Sequence, residues 1–140
     1  MNQLHSSKHK ITSERGQTMV EFAFVAPVLC LLLLAIIQFG ILYSSYVTLT
    51  DATRAGARKA AVSRLESKPA QVAEVAVRNS AKNLDEPCKA DSGLCVSVST
   101  KAWAHGEDVT VEATYPYEID LLGFVFKKGR LKSTTTERVE

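Results

Sequence analysis

The chain has almost no net charge, few aromatic side chains and none of the compact sequence signatures that carry enzyme chemistry. Its formal charge is +2 from 17 basic and 15 acidic residues, too small an excess to argue for nucleic acid as a partner. No nucleophile elbow, phosphate loop or metal triad is present, so a catalytic function is not expected. Three cysteines occur, and the seven-residue step from Cys88 to Cys95 is not a zinc pattern, with no further ligands beside it. His5 and His9 stand at helical spacing but lack a carboxylate or thiol partner, and they read as solvated tail residues. Neither a metal nor a cofactor is expected. Catalytic residues and a small-molecule substrate are likewise not expected.

The most telling absence is local. From Phe22 to Leu42 there is no charged side chain. At about 1.5 Å of rise per residue that run covers roughly the 30 Å hydrocarbon core of a bilayer. An ordinary secretory signal has a shorter apolar core and a small-residue cleavage site after it, so a membrane-spanning helix is the better reading, with lipid as its surroundings.

Around this run the sequence divides into four parts: a polar leader over 1–16, a transmembrane helix over 17–46, a helical region over 47–84 and a β domain over 85–140. The leader lacks apolar periodicity and is expected to be unstructured, so the helix should begin near Gln17. Without Lys8, Lys10, Arg15 and Glu14, 14 basic and 14 acidic residues remain. A neutral remainder suits a subunit that meets copies or relatives of itself without long-range repulsion. Tyr43 and Tyr46 suit the far interface, and Pro27 predicts a bend or loosened turn near Val25. Beyond the bilayer, Ser44 to Glu66 has no turn cluster, so the helix should continue into water.

Along that continuation Ala52, Gly56 and Ala60 recur at four-residue spacing. They form a groove of small side chains for either a partner helix or the protein's own sheet. Pro69 is placed to open a second helix running to about Leu84, with Val72, Val75, Ala76 and Asn79 as its apolar stripe. The period then changes to two. Cys95 to Ser99 and Asp108 to Tyr115 read as strands joined through Ala104-His105-Gly106-Glu107. Pro116 is expected to interrupt the second strand, Lys127-Lys128-Gly129 to turn, and Leu131 to Val139 to form a final strand. His105, Asp108 and Glu112 read as solvated turn and strand residues, and Trp103 with Tyr115 to Tyr117 as packing beneath the hairpin. The fold class is α+β: a long N-terminal transmembrane and assembly helix, a second short helix and a small antiparallel sheet.

Arg15-Gly16-Gln17-Thr18-Met19-Val20-Glu21-Phe22, followed directly by apolar residues, resembles the processing site of type IV prepilin-like proteins. In that pattern Gly16 precedes the cut by a prepilin peptidase, Gln17 becomes the first residue and Glu21 is its fifth. Glycine suits the position because a residue without a side chain enters a narrow protease site in extended form. A carboxylate beside an apolar span needs a partner, and the resemblance implies one: the amine that cleavage creates on a neighbouring subunit. The alternative is that Glu21 sits at the headgroup boundary, favoured by the helix dipole.

The resemblance extends to the TadE-like pseudopilins of the tight adherence (Flp pilus) system. It is carried by Val20-Glu21-Phe22-Ala23-Phe24-Val25-Ala26-Pro27, by Phe39-Gly40, by the block from Ala52 to Val62, and by the charged ending Glu137-Arg138-Val139-Glu140. It implies a pilin-like minor pseudopilin of the inner membrane that supports pilus assembly or a related secretion apparatus, with other pilins and the assembly machinery as partners. Gln17 departs from the phenylalanine that type IV pilins proper expose. Other readings of the same residues are a generic single-pass anchor with a small extracytoplasmic binding domain, or a type II secretion pseudopilin. Charge alone does not orient the span, since Lys8, Lys10 and Arg15 before it are balanced by Arg54, Arg58 and Lys59 after it. The resemblance and the cysteine pair place the C-terminal part outside the cytoplasm. There a Cys88–Cys95 bridge would staple a small domain, whereas in the cytoplasm both would be free thiols.

Overall fold

The computed structural model describes residues 11–84, 86–89, 92–121 and 124–140, with the side chains of 11–15, Leu121, Phe124 and Phe126 left aside. His5, His9 and the first ten residues of the expected leader lie outside the described residues. The chain divides into two compact units at Ile37 and Gln38, and one helix, α1 (Ile11–Ala61), contributes to both. The protein is α+β: after α1 come α2 (Pro69–Ser80), a single 3₁₀ turn (Lys82–Leu84) and three strands.

α1 begins at Ile11, not near Gln17. The leader residues nearest the span are therefore helical, because Ile11 to Arg15 contain no breaker and can add turns to an already formed helix without a new nucleus. Gly16 is carried inside the helix at a cost of about 1 kcal/mol relative to alanine. The helix also runs unbroken through Pro27.

The second unit is built around the far end of α1. Leu49, Ala52, Thr53, Gly56, Ala57 and Ala60 are all buried, a repeat of three and four residues that lays one face inward. Buried with them are Ala73, Val77 and Ala81 around α2, Leu84, Leu94, and Val109, Val111 and Ala113 on alternate positions of one strand. A Cβ on Gly56 would collide with Val77 Cγ2 and lie 3.3 Å from the Ala73 carbonyl. Only a residue without a side chain lets α2 come this close. The stripe of small residues is thus occupied by the protein's own second helix and sheet at Ala52, Gly56 and Ala60. The Thr53 hydroxyl, buried in this face, donates to the Leu49 carbonyl at 2.6 Å, which leaves no unsatisfied polar atom behind.

α2 opens on Pro69, where a missing N–H costs nothing. Its inward face differs from the expected one. Ala73 and Val77 are buried, Val75 is 55% exposed, and Val72 and Ala76 are only partly covered. The small residue Ala73 and the β-branched Val77 fit against Gly56, and the more conspicuous valines are left outside.

β1 (Cys95–Thr100), β2 (Asp108–Leu121) and β3 (Phe124–Arg138) form an antiparallel sheet in that order. β1 pairs with β2 from Cys95 opposite Thr114 to Thr100 opposite Val109. β2 and β3 pair along their whole lengths with one irregularity between Ile119 and Asp120. Two expectations are corrected here. Pro116 does not interrupt β2 but sits in it opposite Arg130, past the point where β1 stops, so no bond to β1 is lost. Lys127-Lys128-Gly129 is not a turn but part of β3, with Gly129 lying under the Tyr117 ring of the opposite strand.

The end of the chain locks the sheet to the helix. Val139 exchanges backbone hydrogen bonds with Gly106 and Glu107, both at 2.8 Å, and the Glu140 N–H donates to the Ala61 carbonyl at 3.0 Å, capping the C-terminus of α1.

Candidate functional site

Gly16, Gln17 and Glu21 lie on consecutive turns at the start of α1, all exposed. Gln17 and Glu21 are four residues apart and share a helix face. The Gln17 Nε2 donates to Glu21 Oε1 at 3.3 Å. No side chain crowds Gly16: a Cβ there would meet nothing within 4 Å.

From Phe22 to Ile37 the helix is apolar around its whole circumference and largely bare, with Phe22 65% and Phe24 77% exposed. A helix apolar on every side needs an apolar environment on every side. Among the described residues it is the one helix long and apolar enough to cross a membrane. That is consistent with single-pass anchoring. Cys30 is a free thiol on this surface.

Away from the span, Cys88 and Cys95 form a disulfide that closes the loop before β1. Gly93 within that loop has φ of +84° and approaches the Pro87 carbonyl so closely that a Cβ would collide with it. Left-handed backbone and lack of space both require glycine there. The candidates for other chemistry are accounted for by simple contacts. His105 is exposed. Asp108 faces Arg138 at 3.8 Å and Glu112 holds Lys132 at 2.8 Å. Trp103 and Tyr115 are half-buried against the core. Among the described residues no three His, Cys, Asp or Glu side chains gather into a metal-binding group.

Two features were not anticipated. Gln38, the polar residue inside the uncharged run, donates from Nε2 to the Asp120 carbonyl on β2 at 2.8 Å. An uncharged amide amid apolar residues was the signal that could have pointed to it. The second is an open groove of about 610 Å³ between α1 and α2, walled by Ala55, Lys59, Val72, Val75 and Ala76. The exposed valines of α2 line it.

The family model described as TadE-like protein matches residues 16–58. The match begins at Gly16, spans the apolar run and ends inside the small-residue block of α1. It is consistent with a TadE-like protein of the tight adherence system, and together with the apolar helix it supports a membrane protein associated with the Tad pilus. No curated protein and no solved structure matches the chain.

Proposed function

We propose that this chain, TadE-like over residues 16–58, is a minor pseudopilin that a prepilin peptidase cuts between Gly16 and Gln17, and that then serves pilus assembly or the related export apparatus without catalysis of its own. The observation that carries the reading is the composition of the first turns of α1. A residue with no side chain stands unobstructed at the cut, and a carboxylate lies one turn beyond, at the edge of a fully apolar and exposed helix.

Cleavage removes the basic leader and leaves an α-amine on Gln17. That amine is a cation, and the Glu21 carboxylate needs one if it is drawn into an apolar assembly. Within one chain Glu21 already has the neutral Gln17 amide as its partner. A neighbouring subunit's amine would donate a separate, charge-assisted bond to the same carboxylate, stronger than the one from the neutral amide. Because Gly16 lies within the helix, the peptidase must first unwind the turns around it, and the low helix propensity of glycine reduces that cost.

An extracytoplasmic C-terminal domain is supported by the Cys88–Cys95 bridge, since disulfides persist in oxidising compartments. The chain would then cross the inner membrane once, leader inside. Intact-mass measurement of the protein from membranes tests the cut: a chain beginning at Gln17 is expected when the peptidase is present and the full chain when it is absent. A start at Met1 or Asn2 in both strains would sink the reading.

A further inference from the structure

The Cys88–Cys95 bridge joins two sulfurs in unlike surroundings. Cys95 opens β1, is paired with Thr114 across the sheet and is half-buried. The backbone before it is pinned too: the Leu94 N–H donates to the Glu86 carbonyl at 3.1 Å, and the Leu94 carbonyl accepts from Arg78 Nη2 at 3.3 Å. Cys88 lies outside any helix or strand and is exposed. A thiolate in solution therefore reaches Cys88 Sγ more readily than Cys95 Sγ.

The charges around the two sulfurs differ as well. Cys95, Thr114 and Lys132 stand in one row across the three strands. Arg130, two residues before Lys132, shares that face of the sheet. It reaches over β2 and places Nη2 3.8 Å from Cys95 Sγ. Lys132 is held by Glu112 at 2.8 Å. Among the described residues no side chain is hydrogen-bonded to Cys88 Sγ.

In thiol–disulfide exchange an incoming thiolate displaces one sulfur, and the displaced sulfur leaves faster the better its anion is stabilised. A guanidinium beside Cys95 favours Cys95 as the sulfur that leaves. Access and charge thus select the same direction. We propose that Cys88 is the thiol-exchange site of this domain: a partner of the dithiol–disulfide oxidoreductase class bonds covalently to Cys88, and Cys95, faced by Arg130, is the sulfur that departs and returns. This does not depend on a cut after Gly16.

When the bridge is made, the Cys88 thiolate attacks the partner's disulfide, forming a mixed disulfide and releasing one partner thiolate. The Cys95 thiolate then attacks Cys88 Sγ, closing the bridge and releasing the second partner sulfur. The two cysteines lose two electrons and the partner leaves as a dithiol. Reduction runs through the same mixed disulfide in reverse, with the electron pair of the broken S–S bond passing to Cys95 Sγ. The loop is shaped for closure without the bridge. The Lys89 N–H donates to the Ser92 carbonyl at 2.8 Å, and Gly93 lies against the Pro87 carbonyl. Sulfurs held near each other in this way react as an intramolecular pair, so the mixed disulfide collapses quickly to the bridge.

The test uses the oxidised full chain in detergent micelles, in a Cys30→Ala background, with 2-mercaptoethanol as an uncharged monothiol. Early time points are quenched with excess N-ethylmaleimide, which caps the freed sulfur. Trypsin cuts after Lys89 and so puts the two cysteines on separate peptides for mass spectrometry. Mercaptoethanol on Cys88 with maleimide on Cys95 is the expected product. Arg130→Gln should lower the initial rate roughly threefold, somewhat less than the full effect of a unit charge about 4 Å away in water. Arg130→Lys should restore part of the rate, and added salt should bring the wild-type rate towards that of Arg130→Gln. Mercaptoethanol chiefly on Cys95, or divided equally between the two, overturns the proposal. An unchanged rate in Arg130→Gln at the wild-type unfolding midpoint also overturns it. If that variant unfolds earlier, the adduct position in the wild-type chain decides alone.

Discussion

Glu21 is a single carboxylate on the exposed start of α1, with the Gln17 amide as its partner at 3.3 Å. Replacing it therefore disturbs no core. Glu21→Ala and Glu21→Gln are both expected to leave the protein in the membrane after carbonate extraction and to abolish co-purification with pilus components. The glutamine variant separates charge from hydrogen bonding, because it keeps the latter. Unchanged co-purification of Glu21→Gln would assign Glu21 to the headgroup boundary instead. This site was legible in the sequence because its parts are neighbours: a glycine, a carboxylate five residues on and an apolar run. What could not be read there is that Ile11 to Gly16 are helical, since their own residues show no periodicity and the turns are added by the helix that follows. Gln38 was equally opaque. Its partner is 82 residues away.

The close approach of α1 and α2 depends on one pair, Gly56 and Val77. Gly56→Ala adds a methyl where there is no room and is expected to cost about 1–3 kcal/mol, typical of an overpacked core. Val77→Ala opens a cavity and costs a similar amount. The double variant should lose less than the two single losses combined, because each change makes room for the other. Thermal unfolding followed by near-ultraviolet circular dichroism checks this, and strict additivity would show that the two residues do not share the space. The existence of both helices was legible from propensity and from Pro69. Which face of α2 turns inward was not: Val72 and Val75 are the more conspicuous apolar residues, but only the Ala73–Val77 face matches the depression at Gly56. Strand extents were misjudged for a similar reason. Proline and Lys-Lys-Gly are local turn signals, and their cost falls away where a strand has one open edge or an aromatic ring covers the glycine.

At the scale of the whole molecule, the domain from Gln38 onward is a small core of alanines and valines held by one local staple, the bridge, and by two long-range ties, the Glu140 cap on α1 and the Gln38–Asp120 bond. Alkylation of Cys88 and Cys95 is expected to require prior reduction. By the loop-entropy model a bridge closing so short a loop contributes about 2–3 kcal/mol, so reduction should lower the unfolding midpoint measurably. Ready alkylation without reductant would place this domain in a reducing compartment and overturn its proposed outward orientation.

The sequence by itself determined the features that depend on neighbours in the chain. These are the uncharged apolar run from Phe22 to Leu42, the processing-like start at Gly16, Gln17 and Glu21, the helix-opening proline and the switch to period two at Cys95. Tertiary structure decided what depends on distant partners competing for the same space. The Ala52, Gly56 and Ala60 stripe could have served a second helix or the protein's own core, and Val77 and Val111 settle it for the core. The strand that proline should have ended runs to Leu121, and its far end meets Gln38 inside the apolar run. A residue's propensity acts over a few neighbours, whereas close packing and backbone hydrogen bonding are satisfied only by whichever elements the fold brings together.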